Sequence, residues 1–227
     1  MVDLDNRLVS PRGILFDLDG TLVDTAPDLV GALYDLLDEI DRPSPEYSLC
    51  RLRVSQGARG LIELALGIGP EAAEFEALRS RFLDLYAGRV SRESRLYPGV
   101  TELLMLLAEK QIPWAVATNK PVRFAGPLLA DLQLDVPSGV VVTPDQVEKA
   151  KPDPAMIEVA LDQLGLPPEQ CWFVGDAEQD IIAGRAAGVT TAIARWGYIA
   201  VDEPIARWGA DRQFNDLAAL FQAARHW

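Results

Sequence analysis

Four aspartates follow two short apolar runs of the sequence, and their carboxylates could take part in acid–base or metal chemistry. Asp17 and Asp19 directly follow one run, and Asp176 and Asp180 follow another. Carboxylates that converge repel one another, and Mg²⁺, which prefers oxygen ligands, would neutralise that repulsion. The pattern therefore predicts a magnesium site, with the alternative that these aspartates only cap turns and helix starts.

Two other polar residues stand beside predicted elements and could bind phosphate. Thr118 follows a third apolar run, and Lys151 precedes a predicted helix. A threonine hydroxyl with neighbouring backbone N–H groups suits phosphate oxygens, and a lysine supplies a point charge. Taken alone, each is better explained as an ordinary turn threonine or surface lysine, so their weight depends on the other segments.

The elements that must position these residues are short buried strands separated by helices. Continuous apolar runs of this kind predict a doubly wound α/β fold, in which helices cover both faces of a mostly parallel sheet. Ligands of such sheets bind beyond the carboxyl ends of the strands, which is where Asp17 and Asp19 stand. The predicted strands are residues 13–16, 113–117, 139–142, 171–174 and 190–194.

Residues 26 to about 93 differ from the rest, because they carry helical patterns and no convincing strand. Apolar residues three and four apart predict a helix over 27–40, and further helices are predicted over 58–66 and 71–90. An all-helical block thus interrupts the α/β domain after its first strand. We predict a Rossmann-like catalytic core from residues 1–24 and 94–227, with a helical cap at residues 25–93.

The overall charge excludes one class of partner. The chain has 227 residues, with 21 Lys and Arg against 34 Asp and Glu, and a formal net charge of −13. An acidic protein is a poor ligand for nucleic acid. It also repels anionic substrates, so an anionic ligand would need local positive charge from a metal ion and a few basic side chains.

Nothing in the sequence indicates export or a membrane. Residues 1–12 contain Asp3 and Asp5 and lack the apolar stretch of a signal peptide, and no apolar run reaches the ~18 residues of a membrane span. Cys50 and Cys171 do not make a disulfide framework. We expect a cytoplasmic protein, monomeric or homodimeric, that acts on a small molecule without nucleic-acid or membrane partners.

The segments, in their order along the chain, resemble the haloacid dehalogenase superfamily over nearly the whole sequence. Residues 17–21, Asp-Leu-Asp-Gly-Thr, match its DxDGT signature. Thr118, Lys151 with Pro152, and residues 175–180 resemble its threonine, lysine and acidic motifs. The helical block is similar to the small cap that such enzymes insert after the first strand.

This resemblance implies a phosphatase with a covalent intermediate. Asp17 would be the nucleophile that becomes phosphorylated, and Asp19 would protonate the leaving oxygen and then activate water. Thr118 and Lys151 would stabilise the equatorial phosphoryl oxygens, with Asn119 beside them in the substrate site.

The resemblance also implies where the cofactor binds. Mg²⁺ is expected at Asp17, at the backbone carbonyl of Asp19 and at Asp176, with Asp180 orienting a metal-bound water. The ion and Lys151 would together form a positive focus in an acidic protein.

Within the superfamily, residues 24–28, 97–100 and 118–121 resemble phosphoglycolate phosphatases. A narrower similarity, to N-acetylmuramic acid 6-phosphate phosphatases, rests on residues 57–59, 119–125, 197–199 and 208–211. The resemblance thus implies hydrolysis of N-acetylmuramic acid 6-phosphate or 2-phosphoglycolate. The cap would contact the leaving group, with Gly57 bringing backbone close and Arg59 binding a carboxylate; alternatively, Arg59 is a solvated helix residue.

Three alternatives share part of this pattern. A phosphomutase of the same superfamily would have the same catalytic residues and a cap that excludes water. A non-enzymatic phospho-acceptor domain would be shorter and would lack the helical block. A haloacid dehalogenase would lack the second carboxylate, which is present here as Asp19.

Overall fold

The computed structural model describes residues 10–134, 136 and 139–227. The prediction that residues 1–12 are not a signal peptide falls mostly on residues 1–9, which lie outside the described residues. The strands and helices below are those of the described residues. The strands are β1 (Gly13–Phe16), β2 (Val23–Asp24), β3 (Arg95–Leu96), β4 (Trp114–Ala117), β5 (Val141–Val142), β6 (Cys171–Gly175), β7 (Thr190–Ala194) and β8 (Arg212–Phe214). The α-helices are α1 (Ala26–Glu39), α2 (Tyr47–Arg51), α3 (Gly57–Leu66), α4 (Phe75–Ala87), α5 (Val100–Glu109), α6 (Val122–Asp131), α7 (Ala155–Leu164), α8 (Glu178–Ala186) and α9 (Leu217–Arg225).

Six strands form one parallel sheet in the order β5-β4-β1-β6-β7-β8. The central strand β1 pairs with β4 on one side and with β6 on the other. Because all six strands point the same way, the residues that follow β1, β4 and β6 meet at one edge of the sheet. The predicted doubly wound α/β fold is confirmed.

Helices cover both faces of this sheet, which explains the continuous apolar runs. All four residues of β1 are buried: Ile14 and Phe16 belong to the core beneath α5, α6 and α9, and Leu15 to the core beneath α7 and α8. Full burial of side chains of this size contributes about 1.5–3 kcal/mol each. Every predicted strand overlaps an observed one for this reason.

The helices α1 to α4 lie between β2 and β3, which pair antiparallel where the chain leaves the sheet and returns to it. The buried carboxylate of Asp28, at the start of α1, accepts hydrogen bonds from the backbone N–H groups of Glu93 and Ser94 at 2.9 and 2.8 Å. These hydrogen bonds hold together the two chain segments that connect the sheet to helices α1 to α4. The division into a core and a cap at residues 25–93 stays a prediction.

Several elements differ from expectation. The helix predicted over 71–90 begins only at Phe75, after turns that follow Gly69 and Pro70, and ends before Gly88. Helix α2 and strand β8 were not predicted, because five and three residues are too few for a clear apolar period and β8 is a sheet edge. No described helix has the length and apolar character needed to span a membrane.

Candidate active site

The acidic residues predicted from the sequence meet at the carboxyl edge of the sheet. Asp17 follows β1 and Asp176 follows the neighbouring strand β6. Gly20 has φ +86, a left-handed conformation that favours glycine, and a Cβ there would lie 2.3 Å from Asp176 Oδ2. The glycine therefore lets the first loop turn and pass directly over the second carboxylate.

Lys151 connects the two acidic segments beneath the site. Its ammonium lies 2.7 Å from both Asp17 Oδ1 and Asp180 Oδ1, and it donates to the Ala117 carbonyl at 2.8 Å. The side chain is only 1% exposed. Burial opposes its charge, but the two carboxylates outweigh that cost and raise the pKa of Lys151. The ammonium therefore stays charged at the floor of the site.

Carboxylates still outnumber cations at this floor. One oxygen from each of Asp17, Asp176 and Asp180 lies within 4.8 Å of the others, and all three residues are buried. Burial raises the pKa of Asp17 to about 7, although the charge of Lys151 acts to lower it. The pKa of Asp176 is also raised, first by burial and then, to a smaller extent, by the nearby charge of Asp17. When all three carboxylates are ionised, the single ammonium leaves two excess negative charges, which fits a divalent cation with oxygen ligands.

The two carboxylates after β6 have different surroundings. Both oxygens of Asp180 are engaged, one with Lys151 and the other accepting from the Ala177 N–H at 3.0 Å. The oxygens of Asp176 accept from the Thr21 hydroxyl at 3.2 Å and from the Tyr198 N–H at 2.9 Å. Asp180 is thus placed to hold Lys151, whereas Asp176 faces the loop after β1.

The segment after β4 supplies the predicted threonine and asparagine. Thr118 is 1% exposed, and its hydroxyl accepts from the Lys120 N–H at 3.1 Å. Asn119 donates to the Lys151 carbonyl and accepts from the Lys151 N–H, both at 3.0 Å. Asn119 therefore positions the backbone of Lys151, a contact that its place in the sequence did not indicate.

Lys120 is a site residue that the sequence reasoning missed. Its ammonium donates to Asp19 Oδ1 at 2.9 Å, and the same oxygen accepts from the Thr25 hydroxyl. The side chain is 4% exposed, and Asp19 together with Tyr86 raises the pKa of Lys120 against the opposing effect of burial. The one signal was its position in the loop that begins with Thr118.

Tyr198 is a second missed residue, and it links the acidic edge of the sheet to the helical block. Its hydroxyl donates to Asp24 and accepts from the backbone N–H groups of Thr25 and Ala26, at the start of α1. Its own N–H donates to Asp176. In the sequence, residues 197–199 stood out only because they resemble the corresponding segment of related phosphatases.

A cavity of about 240 Å³ opens above Asp17 and Asp19, between the sheet edge and helices α1 to α4. Thr118, Asn119 and Lys120 line it from the sheet side. Its other lining residues come mainly from the helical block and are largely apolar: Leu29, Val54, Ser55, Gln56, Gly57, Ala58, Phe82, Leu83, Tyr86, Pro121, Phe124 and Gln179. The cavity thus has a floor formed by Asp17, Asp19 and Thr118, and a largely apolar wall that includes Lys120.

The two residues predicted in the helical block are placed differently. Gly57 lines the cavity. Arg59 is exposed and is not among the residues that line it. Ser55 of the same segment also contacts the core: its hydroxyl donates to Asp176 at 3.3 Å and its carbonyl accepts from Gln179 at 3.3 Å.

Comparisons with known proteins agree with this architecture. A model of the haloacid dehalogenase-like hydrolases matches residues 11–188. The N-acetylmuramic acid 6-phosphate phosphatase of Pseudomonas putida is 42% identical over 200 residues, which cover 88% of this chain and 90% of the relative. The phosphoglycolate phosphatase of Xanthomonas campestris pv. campestris is 38% identical over 216 residues, covering 94% and 96%.

Among solved structures, that of a predicted phosphoglycolate phosphatase from Haemophilus somnus superposes with a TM-score of 0.81 at 30% identity, covering 93% of this chain and 96% of the other. The chain belongs to the haloacid dehalogenase-like hydrolases. It is an enzyme of the hydrolase class, and the family resemblance stated from the sequence is confirmed.

Proposed function

We propose that this protein is a Mg²⁺-dependent phosphomonoesterase in which Asp17 is the nucleophile. The observation that carries the proposal is the placement of Asp17 at the floor of the cavity, 2.7 Å from the buried ammonium of Lys151. An anionic phosphoryl group that enters the cavity would meet the Asp17 carboxylate, with the positive charge of Lys151 fixed directly behind it. Thr118 and Asp19 line the same floor.

The proposed reaction has two steps. An oxygen of Asp17 attacks phosphorus, the bond to the ester oxygen breaks, and Asp19 gives that oxygen its proton. Asp19 then removes a proton from water, whose oxygen attacks the phosphorus of the aspartyl phosphate and releases inorganic phosphate with the Asp17 carboxylate. Lys151 and the Thr118 hydroxyl stabilise the charge on the phosphoryl oxygens in both steps.

The donor set fits Mg²⁺ as the cofactor. Asp17 and Asp176 would supply carboxylate oxygens, Asp19 its backbone carbonyl, and Asp180 would order the ligands around the ion. When bound there, the ion would offset the repulsion between Asp17 and an anionic phosphoryl group. The excess of buried carboxylates over ammonium groups supports this assignment.

We propose N-acetylmuramic acid 6-phosphate as the first candidate substrate and 2-phosphoglycolate as the second. The apolar wall formed by Leu29, Phe82, Leu83 and Phe124 supports the first, because a sugar with acyl and lactyl methyl groups has apolar surface to bury there and glycolate has almost none. The named relatives at 42% and 38% identity support both.

The test is release of inorganic phosphate from a panel of phosphomonoesters that includes both compounds, with Mg²⁺ and over many turnovers. We expect continuous release and the highest kcat/KM on one of these two. A rearranged phosphate ester without free phosphate would instead indicate the phosphomutase alternative. Release limited to one phosphate per chain would indicate a phospho-acceptor domain, and either outcome contradicts the proposal.

A further inference from the structure

Lys120 is the one cation among the described residues that line the cavity. An ammonium group has three N–H donors, and the described hydrogen bond of this side chain is the one to Asp19. Its side chain is 4% exposed. Because solvent reaches it so little, its remaining donors face the Tyr86 hydroxyl and the enclosed part of the cavity.

The hydroxyl of Tyr86 presents a second donor to the same region. Tyr86, on α4, is 1% exposed and lines the cavity, and its ring centroid lies 4.8 Å from the Lys120 ammonium. Apart from the neighbouring Lys120 ammonium, which is itself a donor, no described group offers its hydroxyl a hydrogen-bond partner. Burial raises the pKa of Tyr86 to about 12 although Lys120 opposes this, so the phenol keeps its proton. Because an ammonium cannot accept a hydrogen bond, the buried O–H of Tyr86 has no described acceptor, and a buried donor left unsatisfied is costly.

The chemistry of this pair specifies what would bind. An ammonium and a phenol both donate, so their common partner is an acceptor oxygen, and a carboxylate fits best because it also balances the ammonium charge. The surrounding apolar residues, which include Leu29 and Phe82, would exclude water and strengthen such a contact. Asp19 is adjacent, so the bound group belongs to the leaving part of the substrate.

We propose that Lys120 and Tyr86 form a binding site for the carboxylate of the leaving group, built across the contact between the sheet edge and α4. The proposal rests on the phosphomonoesterase function above and names the residues that select its substrate. It assigns to Lys120 and Tyr86 the role that the sequence suggested for Arg59, which is exposed and lies outside the cavity lining.

The experiment measures kcat/KM on two matched pairs of esters. 2-Phosphoglycolate has a carboxylate where ethyl phosphate has a methyl group. N-acetylmuramic acid 6-phosphate carries a lactyl ether, with its carboxylate, that N-acetylglucosamine 6-phosphate lacks. If Tyr86 affects the kcat/KM ratio of only one pair, the carboxylated ester of that pair is the ligand of the site.

The main variant is Tyr86→Phe, which removes only the hydroxyl. We expect kcat/KM for the carboxylated ester to fall about tenfold more than for its partner, the low end of what a hydrogen bond to a charged group contributes. We expect Tm without substrate to change little, because the O–H of Tyr86 has no described acceptor to lose. Lys120→Met should lower kcat/KM for every ester, with a further ten- to hundredfold loss for the carboxylated one.

Two matched controls remove the same groups elsewhere. Tyr34→Phe deletes a hydroxyl on α1 that donates to the Pro45 carbonyl. Lys110→Met deletes an ammonium that donates to the carbonyls of Arg225 and Trp227. Neither residue lines the cavity, and we expect both variants to keep wild-type selectivity.

Equal losses on both members of each pair in Tyr86→Phe would overturn this inference, as would a selective loss in Arg59→Ala with none in Tyr86→Phe. Failure of the wild type to release phosphate from any ester would instead refute the phosphomonoesterase function itself. The two failures are therefore distinguishable in the same assay.

Discussion

The floor of the cavity and its wall use their two buried lysines differently. At the floor, Lys151 engages Asp17, Asp180 and the Ala117 carbonyl within 2.8 Å. At the wall, Lys120 donates to Asp19 and stands beside Tyr86, whose O–H has no described acceptor. The floor is therefore organised before substrate arrives, as electrostatic catalysis requires, whereas the wall keeps donors for a ligand.

The difference follows from where the two regions lie. The floor stands on strand ends whose positions the parallel sheet fixes, so its ion pairs are held rigidly from below. The wall combines a loop after β4 with helix α4, which belongs to a separate block of helices. Chemistry common to many substrates suits the first region, and recognition of one leaving group suits the second.

Replacing the proposed nucleophile at the floor should abolish phosphatase activity. We expect Asp17→Asn to reduce kcat on every ester by more than the ~10²–10⁴ that loss of a proton-transfer group alone would cause, since no covalent intermediate can form. Phosphate release with Mg²⁺ measures this. The exposed Asp162→Asn on α7 is the matched control and should keep full activity. A variant at position 17 that retained a hundredth of the rate would show that another group attacks phosphorus.

Removing the lysine of the floor should cost stability as well as activity. We expect Lys151→Met to lower the free energy of unfolding by about 3–5 kcal/mol, because Asp17 and Asp180 then stay buried without their counter-charge. Urea unfolding in EDTA measures this, so that no metal ion compensates.

Lys149→Met, at an exposed position two residues earlier, is the control and should change stability by less than about 0.5 kcal/mol. If the two variants unfolded alike, the floor would not depend on its ion pairs and the contrast with the wall would disappear.

Adding Mg²⁺ should have a smaller effect on stability, and this effect should depend only on residues of the floor. We expect Mg²⁺ at about a hundred times its Kd to stabilise the protein by ~2.7 kcal/mol over its EDTA-treated form, seen as a higher Tm. Asp176→Asn should reduce this shift, whereas Tyr86→Phe should keep it, since Tyr86 lies at the wall. Full phosphatase activity in excess EDTA after metal removal would contradict the assignment. Ca²⁺ should inhibit, because it takes more ligands at longer distances.

What the sequence determined by itself was local. Apolar runs in the sequence predicted five strands of the sheet. Asp17, Thr118 and Asp176 follow three of these strands, and side chains that follow parallel strands meet at one edge of the sheet. The spacing of apolar residues in 27–40 likewise located α1. Each of these signals lies within a few residues of the feature it predicts.

Only the tertiary structure decided which of the basic residues reach the cavity. Lys120 and Asp19 are 101 positions apart, and Tyr86 meets them only because α4 packs over the loop after β4. Arg59 looked equally suitable in the sequence, but its position on α3 leaves it exposed. Local patterns do not encode how the helices α1 to α4 dock on the sheet edge, because that docking depends on packing between distant segments.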